Sequence, residues 1–462
     1  MIHFKSAFAL LALLFITFAA AGAEPHLRLC IFGDIQPQPH MMKNPMQKGS
    51  PYWYTQQLYS MANKMGVDAY LITGDIANHC DPAAYDLFRK IFDDSVAGMK
   101  NQPQWLPVMG NHDFWGTFWD KNTPDGYGKK AETRAERKEI FRKHLKLDSI
   151  HHHKVINGYD VIGYSIEGGM FLQPDAVREI EGMIKKAIAR DAEKPIFIFA
   201  HNHTGHTVRG SFTNHYFYKM LAKYPQVIYF SGHTHIPLED ERTIHQQDFT
   251  SVGTAALLNV SLVGNILQYN ERNLGKTMLY VTVDDKAVVL RRFQLRDGSE
   301  ILDNGKPWTL PLPLKKENFT YTAAKRQKIA PEFPENAELK AGLIFDKAKK
   351  FSGVALTGTA ATHPNCVYSY RISIFEKDGD KWVAKQGMFQ GKPREFLELP
   401  GDYYKGRNYQ KPTFSGRILI QKSNYAYFIF EPGKTYRIDL KAQDSLGAVS
   451  ARTLSAEIAI PR

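Results

Sequence analysis

The segment Ser231-Gly232-His233-Thr234-His235 follows an apolar run, Gln226–Phe230, that has the composition of a short buried strand. Glycine allows the chain to turn tightly where the strand ends, and two histidines follow at positions i and i+2. Alternate residues of an extended segment point to the same side. The sequence therefore predicts that His233 and His235 face the same way and serve two adjacent metal ions. Imidazole is the commonest side-chain metal ligand, but a lone His-x-His pair is weak evidence, so the interpretation depends on the rest of the chain.

Four earlier apolar runs also end in polar side chains. Each run is nearly continuous, which is typical of strands covered on both faces of a sheet. In chain order they are Leu27–Phe32 with Asp34 and Gln36, Asp68–Thr73 with Asp75, Trp105–Met109 with Asn111, His112 and Asp113, and Pro195–Ala200 with His201. Helical patterns lie between several of these runs, at Tyr54–Met65, Ala83–Phe92 and Asp175–Arg190. Alternating strands and helices predict an α/β layered sheet, in which ligands gather at the carboxyl ends of the strands.

Further along, four segments alternate between apolar and polar residues in the way that strands do. They are Asp248–Ala256, Leu257–Leu267, Thr277–Val283 and Ala287–Leu295. The sequence predicts that these strands complete a second sheet.

The polar residues at the strand ends are carboxylates, amides and imidazoles, which suit divalent first-row metals rather than thiolate sites. A carboxylate such as Asp75 can bridge two ions about 3.5–4 Å apart, the spacing of two-metal hydrolytic sites. The ordered blocks between Phe32 and His235 read Asp-x-Gln, Gly-Asp, Gly-Asn-His-Asp, His and Gly-His-x-His. This order resembles the calcineurin-like metallophosphoesterases.

The resemblance implies a four-layer αββα sandwich that holds two divalent or trivalent metal ions, such as Mn, Fe or Zn. One ion would be held by Asp34, Gln36, Asp75 and His235. The other would be held by Asp75, Asn111, His201 and His233. The resemblance also places His112 beside the scissile bond as general acid or charge stabiliser, with Asp113 and Gly110 shaping its loop. The implied reaction is attack on phosphorus by a hydroxide that the metals activate.

Two positions depart from the family pattern. Many members have histidine where this chain has Gln36, and an amide oxygen is a weaker ligand than imidazole, so the first metal site is expected to be weaker or differently selective. Members often have an aspartate bonded to the catalytic histidine where this chain has Asn78. An amide cannot stabilise an imidazolium as a carboxylate does, so His112 is expected to be less basic. Asn78 and Asp113 are nevertheless grouped with His112 as predicted catalytic residues.

Several assignments have alternatives that the sequence leaves open. His203 is a rival to His201 as ligand, although the ligand usually comes first after the strand. Asn78 could instead cap a helix that starts near Asp81. The run His151-His152-His153 is interpreted as solvated rather than metal-binding. The basic helical segment Ala131–Leu147 is either a wall of the substrate site or a surface helix.

The composition divides the chain of 462 residues into several parts. Residues 1–23 read as a signal peptide, with an apolar run and an Ala21-Gly22-Ala23 cleavage site, so the chain is expected to be exported, periplasmic or secreted. The phosphoesterase domain is predicted at 24–310 and a linker at 311–334, where prolines break the pattern. Residues 335–462 read as an all-β sandwich of the immunoglobulin or fibronectin type III kind, with Tyr436 as its corner tyrosine.

Charge and cysteine content narrow the function further. The net charge of +12 suits an anionic substrate or an envelope surface, but no block of Lys and Arg indicates specific nucleic-acid binding. With only three cysteines the chain is not a disulfide scaffold, and buried free thiols are expected. After the signal peptide, no second apolar stretch is long enough to span a membrane.

The sequence thus predicts an exported phosphoesterase that acts on a phosphorylated small molecule or an envelope substrate. The aromatic segment Phe114–Trp119 favours a larger substrate, a phosphodiester or pyrophosphate, over a monoester. The alternative is a non-catalytic surface or glycan-binding protein on a metallophosphoesterase fold, since the C-terminal sandwich could contact glycans or proteins.

Overall fold

The computed structural model describes residues 24–115, 117–119, 127–130, 134–167, 172–205, 207, 215–262, 264, 276–401, 412–419 and 426–462. Over these ranges the α-helices are α1 (Pro51–Met65), α2 (Pro82–Val96), α3 (Asn111–Phe114), α4 (Arg134–His144), α5 (Pro174–Arg190) and α6 (His215–Leu221). Short 3-10 helices lie at Pro39–Lys43, Glu241–Thr243 and Lys316–Asn318. The predicted signal peptide lies outside the described residues. No helix in the described ranges is long and apolar enough to cross a membrane.

The strands before residue 312 form two large sheets and a two-stranded ribbon. They are β1 (Leu27–Phe32), β2 (Ala69–Ile72), β3 (Gln104–Pro107), β4 (Thr117–Trp119), β5 (Tyr127–Lys130), β6 (His152–Ile156), β7 (Tyr159–Gly163), β8 (Ile196–Ala200), β9 (Val227–Ser231), β10 (Ile244–Gln246), β11 (Thr250–Gly253), β12 (Thr277–Val283), β13 (Ala287–Gln294), β14 (Glu300–Ile301) and β15 (Trp308–Pro311). The first sheet has the order β14-β13-β12-β1-β2-β3, with β15 paired to β13. The second has the order β10-β11-β9-β8-β7-β6, and the ribbon is β4-β5.

The five apolar runs that end in polar clusters are strands, as predicted. In the first sheet β1, β2 and β3 run parallel, and in the second β7, β8, β9 and β11 run parallel. Strands β2, β8 and β9 are buried along their whole length, which explains why their sequences are continuously apolar. The carboxyl ends of these strands therefore carry the polar clusters to neighbouring edges.

The prediction that the later strands complete a second sheet is wrong for two of them. Strands β12 and β13 extend the first sheet, with β12 antiparallel to β1. Over the described residues of the four segments, the one predicted at Asp248–Ala256 adds a strand, β11, to the second sheet beside β9. Alternation along the chain shows which face of a strand is buried, but it does not show which edge the strand pairs with.

The two sheets pack face to face and each carries helices on its outer side. The core between them includes Leu71 of β2 and Phe230 of β9. Helices α1 and α2 cover the first sheet, where Tyr59 and Phe88 contact Phe32. Helices α5 and α6 cover the second sheet. The order is helix, sheet, sheet, helix, and the predicted mixed α/β class is confirmed.

The predicted strand Leu257–Leu267 is wrong over its described part, Leu257–Leu262, which contains no strand. Ala255 has a positive φ of 60°, which turns the chain away from the sheet. The backbone N–H groups of Leu257 and Leu258 then donate to the carbonyl of Asp34, at 3.2 and 3.0 Å. These amides support the loop of a predicted ligand instead of a strand ladder.

The C-terminal part is rich in strands, consistent with the predicted all-β domain. Its strands are β16 (Leu339–Phe345), β17 (Phe351–Thr359), β18 (Ser369–Asp378), β19 (Lys381–Lys385), β20 (Gly387–Phe389), β21 (Lys392–Arg394), β22 (Leu397–Pro400), β23 (Thr413–Leu419), β24 (Ala426–Tyr427), β25 (Thr435–Gln443) and β26 (Leu454–Ala459). They form the sheets β16-β17-β23, β19-β18-β25-β26 with β22 beside β18, and β21-β20-β24. The hydroxyl of Tyr436 accepts a hydrogen bond from the backbone of Glu431 at 2.8 Å, the geometry of a tyrosine corner. The fibronectin type III identity of this part stays a prediction.

The stretch predicted as a linker, 311–334, lies against the part of the chain that precedes it. Leu314 and Phe319 are buried, and Gln246 accepts hydrogen bonds from the backbone of Thr320 and Tyr321, both at 2.9 Å. The proposed domain limits stay predictions. The three cysteines are free and buried, which confirms the expectation from the cysteine count.

Candidate metal centre

Five of the predicted metal ligands share an unusual backbone conformation. They all have positive φ: Asp34 (52°), Gln36 (34°), Asp75 (53°), His233 (65°) and His235 (53°). Residues other than glycine seldom adopt this region, although Asp and His tolerate it better than most. Such conformations persist where the surrounding structure enforces them, and they cluster at functional sites. The strand ends are therefore shaped to turn these side chains inward.

The prediction that His233 and His235 share an orientation because they lie in an extended segment is wrong. Strand β9 ends at Ser231, and the two histidines lie beyond it in left-handed turns rather than in an extended segment. The backbone N–H of His233 donates to both carboxylate oxygens of Asp34, at 3.2 and 3.0 Å. This contact holds the loop from the first sheet and brings both imidazoles to the same centre.

Glycine is required at two positions beside the ligands, because the backbone there passes too close to a carboxylate to leave room for a Cβ atom. A Cβ on Gly232 would stand 2.5 Å from Asp34 Oδ2, and a Cβ on Gly110 would overlap Asp75 Oδ1. Gly232 does not have a positive φ, so its role is to let the backbone pass close to the carboxylate.

The first group of predicted ligands surrounds Asp34. His235 Nε2 lies 3.1 Å from Asp34 Oδ1. Gln36 Nε2 donates to Asp75 and stands 3.5 Å from His235 Nε2. His235 Nδ1 donates to Asn259, whose side-chain oxygen is at 2.9 Å and whose carbonyl is at 3.2 Å. A proton fixed on Nδ1 leaves the lone pair of Nε2 directed into the centre.

The second group surrounds Asp75. His201 Nε2 lies 3.1 Å from Asp75 Oδ2, 3.0 Å from Asn111 Oδ1 and 3.3 Å from His233 Nδ1. His201 Nδ1 donates to the carbonyl of Thr73 at 2.8 Å, so Nε2 is again free to face the centre. Ligand atoms of Asp34, Asp75 and His201 all lie within 4.8 Å of one another. The structure thus brings all seven predicted ligands together, with Asp75 between the two groups.

The electrostatics of the centre follow from burial and close charges. Burial disfavours the Asp75 carboxylate, but the neighbouring His201 outweighs this effect and holds the pKa of Asp75 at about 2. Burial likewise opposes protonation of His201, but the Asp75 charge raises the His201 pKa to about 9. Burial, reinforced by His201, lowers the pKa of His233 to about 3. A proton shared by Asp75 and His201 therefore occupies the position that suits a cation.

The three predicted catalytic residues have different surroundings. The backbone N–H of His112 donates to Asp75 Oδ1 at 2.8 Å, and its Nε2 faces Asp75 Oδ2 at 4.0 Å. Asn78 Oδ1 accepts from His112 Nδ1 at 2.7 Å, while the cap of α2 is Asp81. Burial lowers the pKa of His112 to about 4.

Asp113 faces away from the ligands. Its carboxylate accepts from the backbone of Gly110 at 2.8 Å and Ala77 at 3.0 Å, and from the Tyr85 hydroxyl at 2.9 Å. Burial raises its pKa to about 7, and the charge on Asp75 adds to this effect. This arrangement ties the loop that carries Asn111 to the loop that follows Asp75.

The open alternatives now have structural placements. His201 contacts Asp75, whereas His203 stacks behind His233 with ring centroids 6.0 Å apart. The interpretation of residues 151–153 as a solvated run is wrong, because the three side chains bond separately to Glu167, the Pro107 carbonyl and Asp160. The pairing of strand β6 with strand β7 places these three side chains in contact with neighbouring segments.

The candidate wall segment is described only in part. Helix α4 packs Phe141 into the core, and Arg137 donates to the carbonyl of Phe114 at 2.6 Å. Residues 116, 120–126 and 131–133 lie outside the described residues, as do the side chains of 117–119. The choice between substrate wall and surface helix stays open.

Sequence reasoning missed the residues that orient the ligands. Asn259 and the Thr73 carbonyl fix His235 and His201, but neither belongs to a motif. Asn259 falls in a segment predicted as a strand. A backbone carbonyl such as that of Thr73 carries no sequence signal at all.

The arrangement fits a pair of metal ions. Asp75 Oδ2 and Asn111 Oδ1 both lie within 3.1 Å of His201 Nε2. Three buried lone-pair atoms this close together need a proton or a cation between them. The nitrogen and oxygen donors suit first-row divalent ions. Gln36 can offer its amide oxygen to a cation if the amide turns over.

Comparison with known proteins gives a family for this region. Residues 27–237 match the family described as Calcineurin-like phosphoesterase. A dimetal phosphatase from Danio rerio is similar with 9% identity and a TM-score of 0.43, covering 62% of this chain and 99% of that one. A purple acid phosphatase, PPD1, from yellow lupin (Lupinus luteus) seeds has 14% identity and a TM-score of 0.42, covering 62% of this chain and 54% of that one.

No curated protein shows a significant similarity to the chain. The family match includes all seven residues of the candidate metal centre and the strands β1, β2, β3, β8 and β9 that carry them. Residues 27–237 of this chain form a calcineurin-like metallophosphoesterase domain.

Proposed function

We propose that the chain is a dinuclear-metal phosphoesterase that hydrolyses phosphate esters. The observation that carries this proposal is the convergence of five side chains on the buried carboxylates of Asp34 and Asp75, the seven residues coming from five strand ends. Five of the seven are held in strained backbone conformations, which a purely structural cluster does not require.

Each ion has a defined set of residues. Asp34, Gln36, Asp75 and His235 would hold the first ion, and Asp75, Asn111, His201 and His233 would hold the second. When bound, two such cations neutralise charge on the phosphoryl group and supply a hydroxide nucleophile at neutral pH. The family match and the oxygen and nitrogen donors support Mn, Fe, Zn or a similar ion.

The protein's own side chains position the reacting phosphate and supply the proton for the leaving oxygen. His112 Nε2 faces the centre beside Asp75, where it can give a proton to the leaving oxygen or stabilise charge on it. Asn78 fixes the orientation of the imidazole through Nδ1. Because the partner is an amide and burial lowers the pKa of His112 to about 4, the negative charge of bound phosphate has to favour protonation of this ring.

The finer parts of the proposal concern substrate and location. A phosphodiester or pyrophosphate is favoured over a monoester, supported by the exposed ring of Trp115 beside His112. The net charge of +12 favours an anionic substrate. The apolar run before Ala21-Gly22-Ala23 supports export, which N-terminal sequencing of the mature protein tests: a first residue of Glu24 is expected.

The test of the reaction is hydrolysis of bis-nitrophenyl phosphate and nitrophenyl phosphate by purified protein across a panel of metals, with Asp75→Asn as matched control. We expect metal-dependent turnover, about two bound metals per chain, and loss of both in the variant. A folded protein that binds no metal and hydrolyses neither ester refutes the proposal and favours the non-catalytic alternative.

A further inference from the structure

Trp115 lies at the edge of the candidate metal centre, and a short helix fixes its position relative to the ligand Asn111. The residue ends the short helix α3, which begins with the ligand Asn111, and its backbone N–H donates to the carbonyl of His112 at 3.3 Å. Phe114, the residue before it, is buried in the core and anchors the turn. One helical turn therefore carries a metal ligand, the predicted acid and the indole.

The indole ring packs against His112, and the residue is still partly exposed. The two ring centroids are 3.6 Å apart with their planes tilted by 37°. The ring of His79 stands 5.6 Å from the indole. Even with these contacts, 45% of Trp115 is exposed. A large flat ring that is fixed by its neighbours and still half exposed can bind another ring at little entropic cost.

The loop that carries His79 is also constrained. His79 and Cys80 both have a positive φ of 57°, in consecutive positions directly after Asn78. Two such residues together are costly, and strain of this kind is kept at functional sites. This loop presents Asn78 to His112 and His79 to Trp115. The rings of His112, Trp115 and His79 are thus positioned by two constrained backbone segments, helix α3 and the loop after Asn78.

We propose that the exposed part of Trp115 is the platform for the leaving group, and that the preferred leaving group is a ring, either aryl or sugar, joined directly to the ester oxygen. This inference rests on the proposed function, because His112 then faces that oxygen. The atoms next to the oxygen must pass beside the His112 ring, which the indole covers at 3.6 Å. An aryl ring or the apolar face of a sugar lies in reach there, whereas a nucleobase is held further away by its ribose.

Phosphonates test the platform without turnover, because a methylene replaces the ester oxygen. The probes are benzylphosphonate, cyclohexylmethylphosphonate and ethylphosphonate, bound to metal-loaded protein and measured by calorimetry. We expect a ring-bearing probe to bind about tenfold more tightly than ethylphosphonate. Preference for the benzyl probe alone indicates an aryl group, and preference for both rings indicates a sugar.

The variants are Trp115→Ala, Trp115→Phe and, as a matched control, Phe345→Ala, which removes a ring of similar exposure from the C-terminal part. The preference for rings should vanish in the alanine variant, persist in part with phenylalanine and be unaffected in the control. Equal ring preference in folded Trp115→Ala and the unaltered protein, or no ring preference in either, overturns the platform.

The two proposals fail in different ways. Ring preference that depends on Trp115, without hydrolysis of any ester, keeps the platform and refutes the phosphoesterase activity. Metal-dependent hydrolysis with a ring preference that Trp115→Ala does not change keeps the activity and refutes the platform.

Discussion

Asn259 should control the affinity of the first metal ion, although it is not itself a ligand. Its side-chain oxygen accepts from His235 Nδ1 at 2.9 Å, which keeps the proton on that nitrogen and leaves Nε2 for the metal. Partners of this kind orient ligating histidines, and their removal usually weakens metal binding by about 10- to 100-fold. The replacement Asn259→Ala removes the side-chain acceptor alone.

The structure places the expected effect at the lower end of that range. The main-chain carbonyl of Asn259 also lies 3.2 Å from His235 Nδ1, and it survives the substitution. The tautomer should therefore be kept while its orientation loosens, and the first ion should bind about tenfold more weakly, or about 1.4 kcal/mol. The second ion should be nearly unaffected, because His201 is fixed separately by the carbonyl of Thr73.

Competition titration with a chromophoric chelator measures the two affinities separately. Asn318→Ala is a matched control, since it removes an amide that donates to the carbonyl of Pro313 at 3.0 Å rather than to a ligand histidine. Unchanged affinity at both sites, or equal weakening at both, refutes the assigned role of Asn259.

Three further predictions follow from named contacts. Asn78→Asp puts a carboxylate 2.7 Å from His112 Nδ1, which should raise the pKa of His112 and favour its protonated form. The kcat/KM for alkyl esters, whose leaving oxygen needs a proton, should therefore rise about tenfold relative to the kcat/KM for nitrophenyl esters. An unchanged ratio contradicts the role of His112 as acid. Gly232→Ala places a Cβ 2.5 Å from Asp34 Oδ2 and should cost about 1–3 kcal/mol in urea unfolding, whereas wild-type stability would show that the loop can shift. Burial raises the pKa of Glu239 from 4.5 to about 7, so folding binds its proton more tightly. Its contribution to stability is present below pH 4.5 and is lost as the pH rises through about 7, a change of about 3 kcal/mol. Glu239→Gln should remove that dependence in thermal unfolding, and an unchanged pH dependence in the variant would contradict its assignment to Glu239.

The parts of the fold that the sequence predicts are those fixed by local pattern. Strand β9 is buried along its length, and its sequence is correspondingly a run of apolar residues that ends at a glycine. The ligand types after each such run indicate the metal centre because the carboxyl ends of parallel strands share an edge. Nothing beyond residue type and order is needed for that step.

The parts that the sequence did not predict depend on contacts between distant segments. Strand β12 joins the first sheet because β1 has a free edge there, which no pattern within β12 records. The segment after Ala255 fails to form a strand because its amides bond to the Asp34 carbonyl. For the same reason Asn259 could not be found: its importance comes from His235, 24 residues away.

The C-terminal part contacts the chain just beyond the ligand His235. Glu241 accepts hydrogen bonds from Asn365 and, at 2.7 Å, from Ser445. The carbonyl of Glu239 accepts from the Cys366 thiol at 3.8 Å. These groups are buried, and a substitution that removed one partner while its mate stayed buried would cost about 1–3 kcal/mol. The segment that leads away from His235 is therefore held between both parts of the chain, so the strained turn at this ligand is supported from the C-terminal side as well as by Asn259.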